Sequence, residues 1–115
     1  MQNQSVTTIE EVIKKMQKHK IKPDVKLIKR VYKFAEEKHE GQVRISGEKY
    51  ITHPLEVANI VAELGLDNAA VCAAILHDVV EDTPVTHEDI VNLFGEEIAE
   101  IVAGVTKLRK NTIWN

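Results

Sequence analysis

Apolar residues recur along most of this chain at steps of three and four, the spacing of helices buried on one face. Thr8 with Glu11 has capping-box spacing, and Ile9, Val12, Ile13 and Met16 predict a helix from there to about His19. Pro23 starts a second helix, to about Glu40, with Ile28, Val31, Tyr32, Ala35 and His39 on its buried face and Gly41 stopping it. Pro54 suits the first position of a third, with His53 as N-cap, running through Leu55, Val57, Ala58, Val61 and Leu64 to Gly65. Asp67 can cap a fourth. Thr86 with Asp89 opens a short fifth carrying Ile90, Leu93 and Phe94. Beyond Gly95 a sixth, from about Glu96 to Thr106, buries Ile98, Ile101, Val102 and Val105. Strand signal is almost absent, so the expected fold is all-α.

The fourth helix departs from the pattern. Ala69 to Leu76 is an unbroken apolar run that leads into His77-Asp78-Val79-Val80-Glu81-Asp82. A helix apolar on every side belongs at the centre of a bundle. Ending it on ionisable groups is costly unless something pairs with them. Four-residue spacing stacks His77 on Glu81 and Asp78 on Asp82. Two readings stay open: a buried helix whose polar end reaches water, or a metal or catalytic site. The connection between the third and fourth helices is short, so they run antiparallel as neighbours. Each spans about 16 Å at roughly 1.5 Å per residue. His53 therefore comes beside His77 and Asp78, and two histidines with an aspartate suit a divalent metal.

Composition narrows the partners. With 115 residues the chain is one domain, and a net charge of −3 argues against a nucleic-acid surface. No apolar run is long enough for a bilayer, and the polar start is no signal peptide. The single cysteine, Cys72, lies in the apolar run and reads as a core residue; the absence of an internal disulfide fits a reducing cytoplasm. His39 reads as a structural, hydrogen-bonded histidine, His19 as a helix-end cation and His87 as solvated. Gln42 to Tyr50 reads as a loop with parts suited to a phosphorylated ligand. Residues 1–7 read as a polar tail and 109–115 as a tail or truncated segment in which Ile113 and Trp114 lack local partners.

An ordered set of motifs runs from about Val25 to Leu108. It comprises Phe34-Ala35-x-x-x-His39-x-Gly41-Gln42, then Arg44-x-Ser46-Gly47-Glu48-x-Tyr50-Ile51-x-His53-Pro54. Leu76-His77-Asp78-Val79-Val80-Glu81-Asp82-Thr83 follows, then Phe94-Gly95 and Gly104-Val105-Thr106-Lys107-Leu108. In these the chain resembles the HD-superfamily metal phosphohydrolases, and among them the N-terminal hydrolase domain of the RelA/SpoT family, which makes and degrades guanosine tetra- and pentaphosphate alarmones. The resemblance implies an HD-type helical bundle over 8–108. It implies His53, His77 and Asp78 as ligands of one divalent ion, usually manganese, and Glu81 with Asp82 as the pair handling the attacking water. Arg44 and Ser46 match positions that hold the guanine end, and Tyr50 joins them as substrate-binding. The implied reaction removes the 3′-pyrophosphate of the alarmone, giving GDP or GTP plus pyrophosphate.

Two departures stand out. Ile45 replaces a second basic residue usual in the family. The family's fourth ligand, an aspartate in an Ala-Asp-Arg type motif, has no counterpart here, nor has the synthetase domain of long members. The chain is therefore expected to be the first part of a hydrolase domain, truncated before its later helices, with weak metal binding and little turnover. Two alternatives compete: a non-catalytic helical module that self-associates through a face exposed by truncation, and an HD phosphohydrolase acting on another nucleotide.

Overall fold

A computed structural model describes residues 8–40 and 52–111, with side chains in the second range described for 54–105. Among the described residues there are six helices and no strand. They are α1 (Ile9–Lys18), α2 (Val25–Lys38), α3 (Thr52–Glu63), α4 (Asn68–Asp82), α5 (His87–Phe94) and α6 (Glu96–Asn111). The loop expected at 42–50, with Arg44, Ser46 and Tyr50, lies outside the described residues, as do the two tails' ends at 1–7 and 112–115.

The expected caps form. Thr8 and Glu11 bond reciprocally at 3.3 and 3.2 Å, Thr86 and Asp89 at 3.2 and 3.0 Å, and Asp67 accepts from Ala70 at 3.0 Å. Three boundaries differ from expectation. Asp24, not the proline before it, caps α2 through the Leu27 amide, so the helix starts at Val25. Helix α3 starts at Thr52, which puts His53 inside the first turn. Pro54 is tolerated there because first-turn amides have no intrahelical acceptor to lose. Helix α6 continues past Thr106 to Asn111, through residues of good helix propensity whose positive charges suit a helix C-terminus.

Helix α4 is the centre. It packs most extensively on α3, then on α6 and α2, while α1 covers α3 and α5 covers α6. Its residues from Val71 to Val79 are all buried, which is why its apolar run has no polar face. Val12 and Met16 from α1, Ile28 and Val31 from α2, Leu55 and Ala58 from α3, and Ile98 and Val102 from α6 complete the core. Each large side chain buried here contributes roughly 1.5–3 kcal/mol of transfer free energy. Some expected core positions are only half-buried: Tyr32, Val57, Val61, Ile101 and Val105. Leu64 and Leu93 are exposed, at 70% and 45%. Leu64 lies just past the end of α3, where the three-and-four rhythm no longer places it on the core face.

Two connections turn the chain by the same device. After α1, Lys20 takes φ of +63° while its amide bonds Gln17 and that of Ile21 bonds Met16. After α3, Gly65 takes φ of +80° while its amide bonds Ala62 and that of Leu66 bonds Val61. Both are Schellman turns, but only the second has the glycine that the left-handed residue favours. The turns adjoin, since a Cβ on Gly65 would lie 3.4 Å from His19 Nδ1. Nearby, Asn68 accepts from the Asp24 amide at 2.7 Å and donates to the Lys22 carbonyl at 3.0 Å, clasping the α1–α2 connection to the start of α4.

Candidate functional site

The chemistry gathers at the opposite end of α4. His77 and Asp78 are buried, at 8% and 4% exposure, in the last two turns of a helix otherwise filled with small apolar side chains. His77 Nδ1 lies 2.6 Å from the Ala74 carbonyl oxygen. A carbonyl only accepts, so Nδ1 carries the proton and donates it. In the neutral ring the lone pair then belongs to Nε2. That nitrogen stands 3.3 Å from Asp78 Oδ1. At this distance the two atoms can share a proton or a metal ion.

The pair therefore suits a cation. Two donors each about 2.1 Å from one ion are separated by roughly 3.0–3.4 Å, and the His77–Asp78 separation of 3.3 Å falls in that range. A ring fixed by its second nitrogen to a backbone carbonyl is the usual outer-shell arrangement of a metal-binding histidine. Glu81 and Asp82 follow one turn on, both exposed. The last turn of α4 contains no basic residue, so both carboxylates sit at the negative end of the helix dipole, against the ordinary preference.

Helix α3 brings His53 toward this end. It runs antiparallel to α4 across the short Gly65–Asp67 connection, so its first turn lies alongside the last turns of α4. The His53 side chain lies outside the described residues, as do those of Arg44, Ser46 and Tyr50. Among the described residues no group of three His, Cys, Asp or Glu forms a metal cluster. The described part of the site is therefore His77 and Asp78, with Glu81 and Asp82 beyond them. The sequence did not reveal the Ala74 carbonyl bond, because its acceptor is backbone and carries no residue-type signal.

Cys72 and His87 stand as their sequence context suggests. Cys72 is fully buried, and burial first, then the Asp24 and Asp67 carboxylates, pushes its thiol up to about 12. Such a thiol is no nucleophile. His87 is exposed near Glu100, at 3.9 Å. His39 caps α2, buried, with its amide on the Ala35 carbonyl at 3.0 Å. Among the described residues no helix is long and apolar enough to cross a membrane.

Comparison with known proteins agrees with the motif pattern. Residues 31–115 match the family described as HD domain. The chain is 51% identical over 88 residues to a GTP pyrophosphokinase of Myxococcus xanthus, covering 76% of this chain and 12% of that protein. It is 54% identical over 86 residues to the bifunctional (p)ppGpp synthase/hydrolase SpoT of Escherichia coli K12, covering 75% and 12%. It is 54% identical over 83 residues to a guanosine-3′,5′-bis(diphosphate) 3′-pyrophosphohydrolase of Aquifex aeolicus, covering 72% and 12%. The chain thus spans about 12% of the length of these curated relatives. It belongs to the HD domain family, with RelA/SpoT-type enzymes as its relatives.

Proposed function

We propose that this chain supplies the metal-binding part of a guanosine-3′,5′-bis(diphosphate) 3′-pyrophosphohydrolase, as the first part of an HD-type hydrolase domain over 8–108. The observation that carries this reading is the buried His77–Asp78 pair, with its ring tautomer set by the Ala74 carbonyl. The names of the relatives supply the substrate class, a guanosine carrying a 3′-diphosphate. HD-domain phosphohydrolases depend on a divalent metal, and manganese is the ion proposed here.

In this reading His53, His77 and Asp78 hold the ion, which supplies Lewis acidity at the phosphoryl group and lowers the pKa of water. Glu81 and Asp82, one turn beyond, accept the proton of the attacking water. Arg44 grips the guanine end as a flat cation able to stack or to pair with phosphate, with Ser46 and Tyr50 on the same segment. Ile45 leaves that segment one positive charge short of the family pattern, which weakens its hold on the polyphosphate. Three protein ligands make a site open to a further donor.

Incubation of a full-length protein that contains this chain with manganese and guanosine tetraphosphate tests the reading through release of pyrophosphate. His77→Ala abolishes release, and undiminished release by that variant removes the pair from the mechanism. A panel of other nucleotides separates this substrate from the alternative of a different nucleotide. The self-associating alternative names Ile113 and Trp114 as its contacts; among the described residues, Ile60 and Leu64 are 60% and 70% exposed. Light scattering that shows a monomer at high concentration counts against it.

A further inference from the structure

We propose that two copies of this chain pair about a twofold axis at the seam between α2 and α5, each laying its basic stripe on the other's glutamate corner. The pairing uses no residue of the candidate site and does not rest on the reaction proposed above.

Charge is divided unevenly along the chain. Lys and Arg are absent from Ile51 to Thr106, whereas α2 alone carries Lys26, Lys29, Arg30, Lys33 and Lys38. Steps of four and three put Lys26, Arg30 and Lys33 in one exposed stripe. The stripe covers about 10 Å of helix at roughly 1.5 Å per residue. The opposite sign stands at the corner between α5 and α6, where the exposed Glu96 and Glu97 follow Gly95.

Stripe and corner are neighbours in the fold. Arg30 Nη2 donates to the Leu93 carbonyl at the end of α5, and the guanidinium lies over the Phe94 ring, 5.1 Å from its centroid. Phe34, one turn along α2 from Arg30, meets the same ring edge-on at 5.4 Å. These contacts hold α2 against the corner. Leu93 lies at the junction and is 45% exposed.

The surface so formed is complementary to itself. A half-turn about an axis between stripe and corner exchanges the two, so each cationic group faces the partner's carboxylates and Leu93 meets its own copy. A twofold interface requires such a patch, because one surface serves both copies. An apolar centre with a charged rim is also the ordinary anatomy of an interface. A stripe of one sign alone would repel its copy. Charges arranged this way fix the register of the pair and leave it sensitive to salt.

Sedimentation of the full chain tests the pairing. A dimer and nothing larger is expected at high protein concentration in low salt, and added salt weakens it. Lys26→Glu with Lys33→Glu, and separately Glu96→Lys with Glu97→Lys, are each expected to weaken the dimer about tenfold, since every contact occurs twice across the axis. Leu93→Ser weakens it as well. An equal mixture of the two charge variants restores the dimer, because both contacts in the mixed pair again join opposite charges. That recovery also shows that neither variant has lost its fold. A monomer at every concentration, or charge variants that stay apart when mixed, overturns the proposal. Reversals that leave the dimer intact assign self-association to other residues, Ile113 and Trp114 among them, and overturn it too.

Discussion

The His77 ring donates from Nδ1 to the carbonyl of Ala74, one turn earlier on the same helix, and so presents Nε2 to Asp78. The helix backbone itself sets the tautomer. Only a distortion of that turn can change what the ring offers. A cation that binds His77 and Asp78 in the folded chain and not in the unfolded one should raise thermal stability by mass action. At a manganese concentration of about 100 Kd the gain is about 2.7 kcal/mol. Thermal unfolding with and without the ion should show this shift in the parent chain and lose it in His77→Ala. Equal shifts in both proteins place the ion elsewhere.

The two Schellman turns give a matched pair of tests. Lys20 occupies a left-handed position at φ +63° without a glycine, at a cost of about 1 kcal/mol. Lys20→Gly should therefore raise stability by somewhat less than that, since glycine also loosens the unfolded chain. Gly65→Ala should lower stability by about 1 kcal/mol through its φ of +80°, because the new Cβ meets only an ordinary contact with His19. Urea unfolding of both variants checks the signs, and like signs refute the argument.

Cys72 predicts an alkaline limit. Its thiol is raised to about 12 in the fold from the model-compound value of 9.0. Below pH 9 it is protonated in both states and contributes nothing to pH dependence. Between 9 and 12 the unfolded chain alone loses the proton, so stability falls with rising pH, by about 1.4 kcal/mol per unit at most. Cys72→Ala should flatten this part of the profile. Labelling by a thiol reagent at pH 8 should proceed only as fast as the chain opens.

The Asn68 clasp should be worth about 1 kcal/mol, two neutral hydrogen bonds less the water that replaces them at exposed groups. Asn68→Ala should cost that much, and Asn68→Asp less, since it keeps the acceptor for the Asp24 amide. Denaturant unfolding distinguishes them. Equal losses in both variants indicate that the Lys22 carbonyl contact carries the clasp.

The helices were legible because their signals are local. Thr8, Asp67 and Thr86 announce helix starts by their own side chains, and Ile9 to Met16 announce a buried face by spacing alone. The central place of α4 followed from Val71 to Leu76 being apolar on every side. Boundaries were less legible where two residues could serve. Pro23 and Asp24 both suit a helix start, and the choice fell to the side chain that reaches Leu27. The short connection at Gly65 to Asp67 foretold the pairing of α3 with α4. Nothing in the sequence foretold the bond to the Ala74 carbonyl, for a backbone oxygen looks alike under every side chain. The Phe34–Phe94 edge contact at 5.4 Å, with Arg30 over Phe94 at 5.1 Å, was also hidden, because it joins helices far apart in the chain.

Four of the buried side chains of α4, those of Ala69, Cys72, Ala73 and Ala74, are small. Side chains this small let neighbouring helix axes approach the short end of the usual 8–10 Å range. The separation of α3 from α4 also governs how far the turn bearing His53 stands from the turn bearing His77. These alanines thus act as shims. In the function proposed, the reach between two ligands then depends on side-chain volumes with no chemistry of their own. A bulkier residue at one of those positions could detune the site without touching any group that takes part in it.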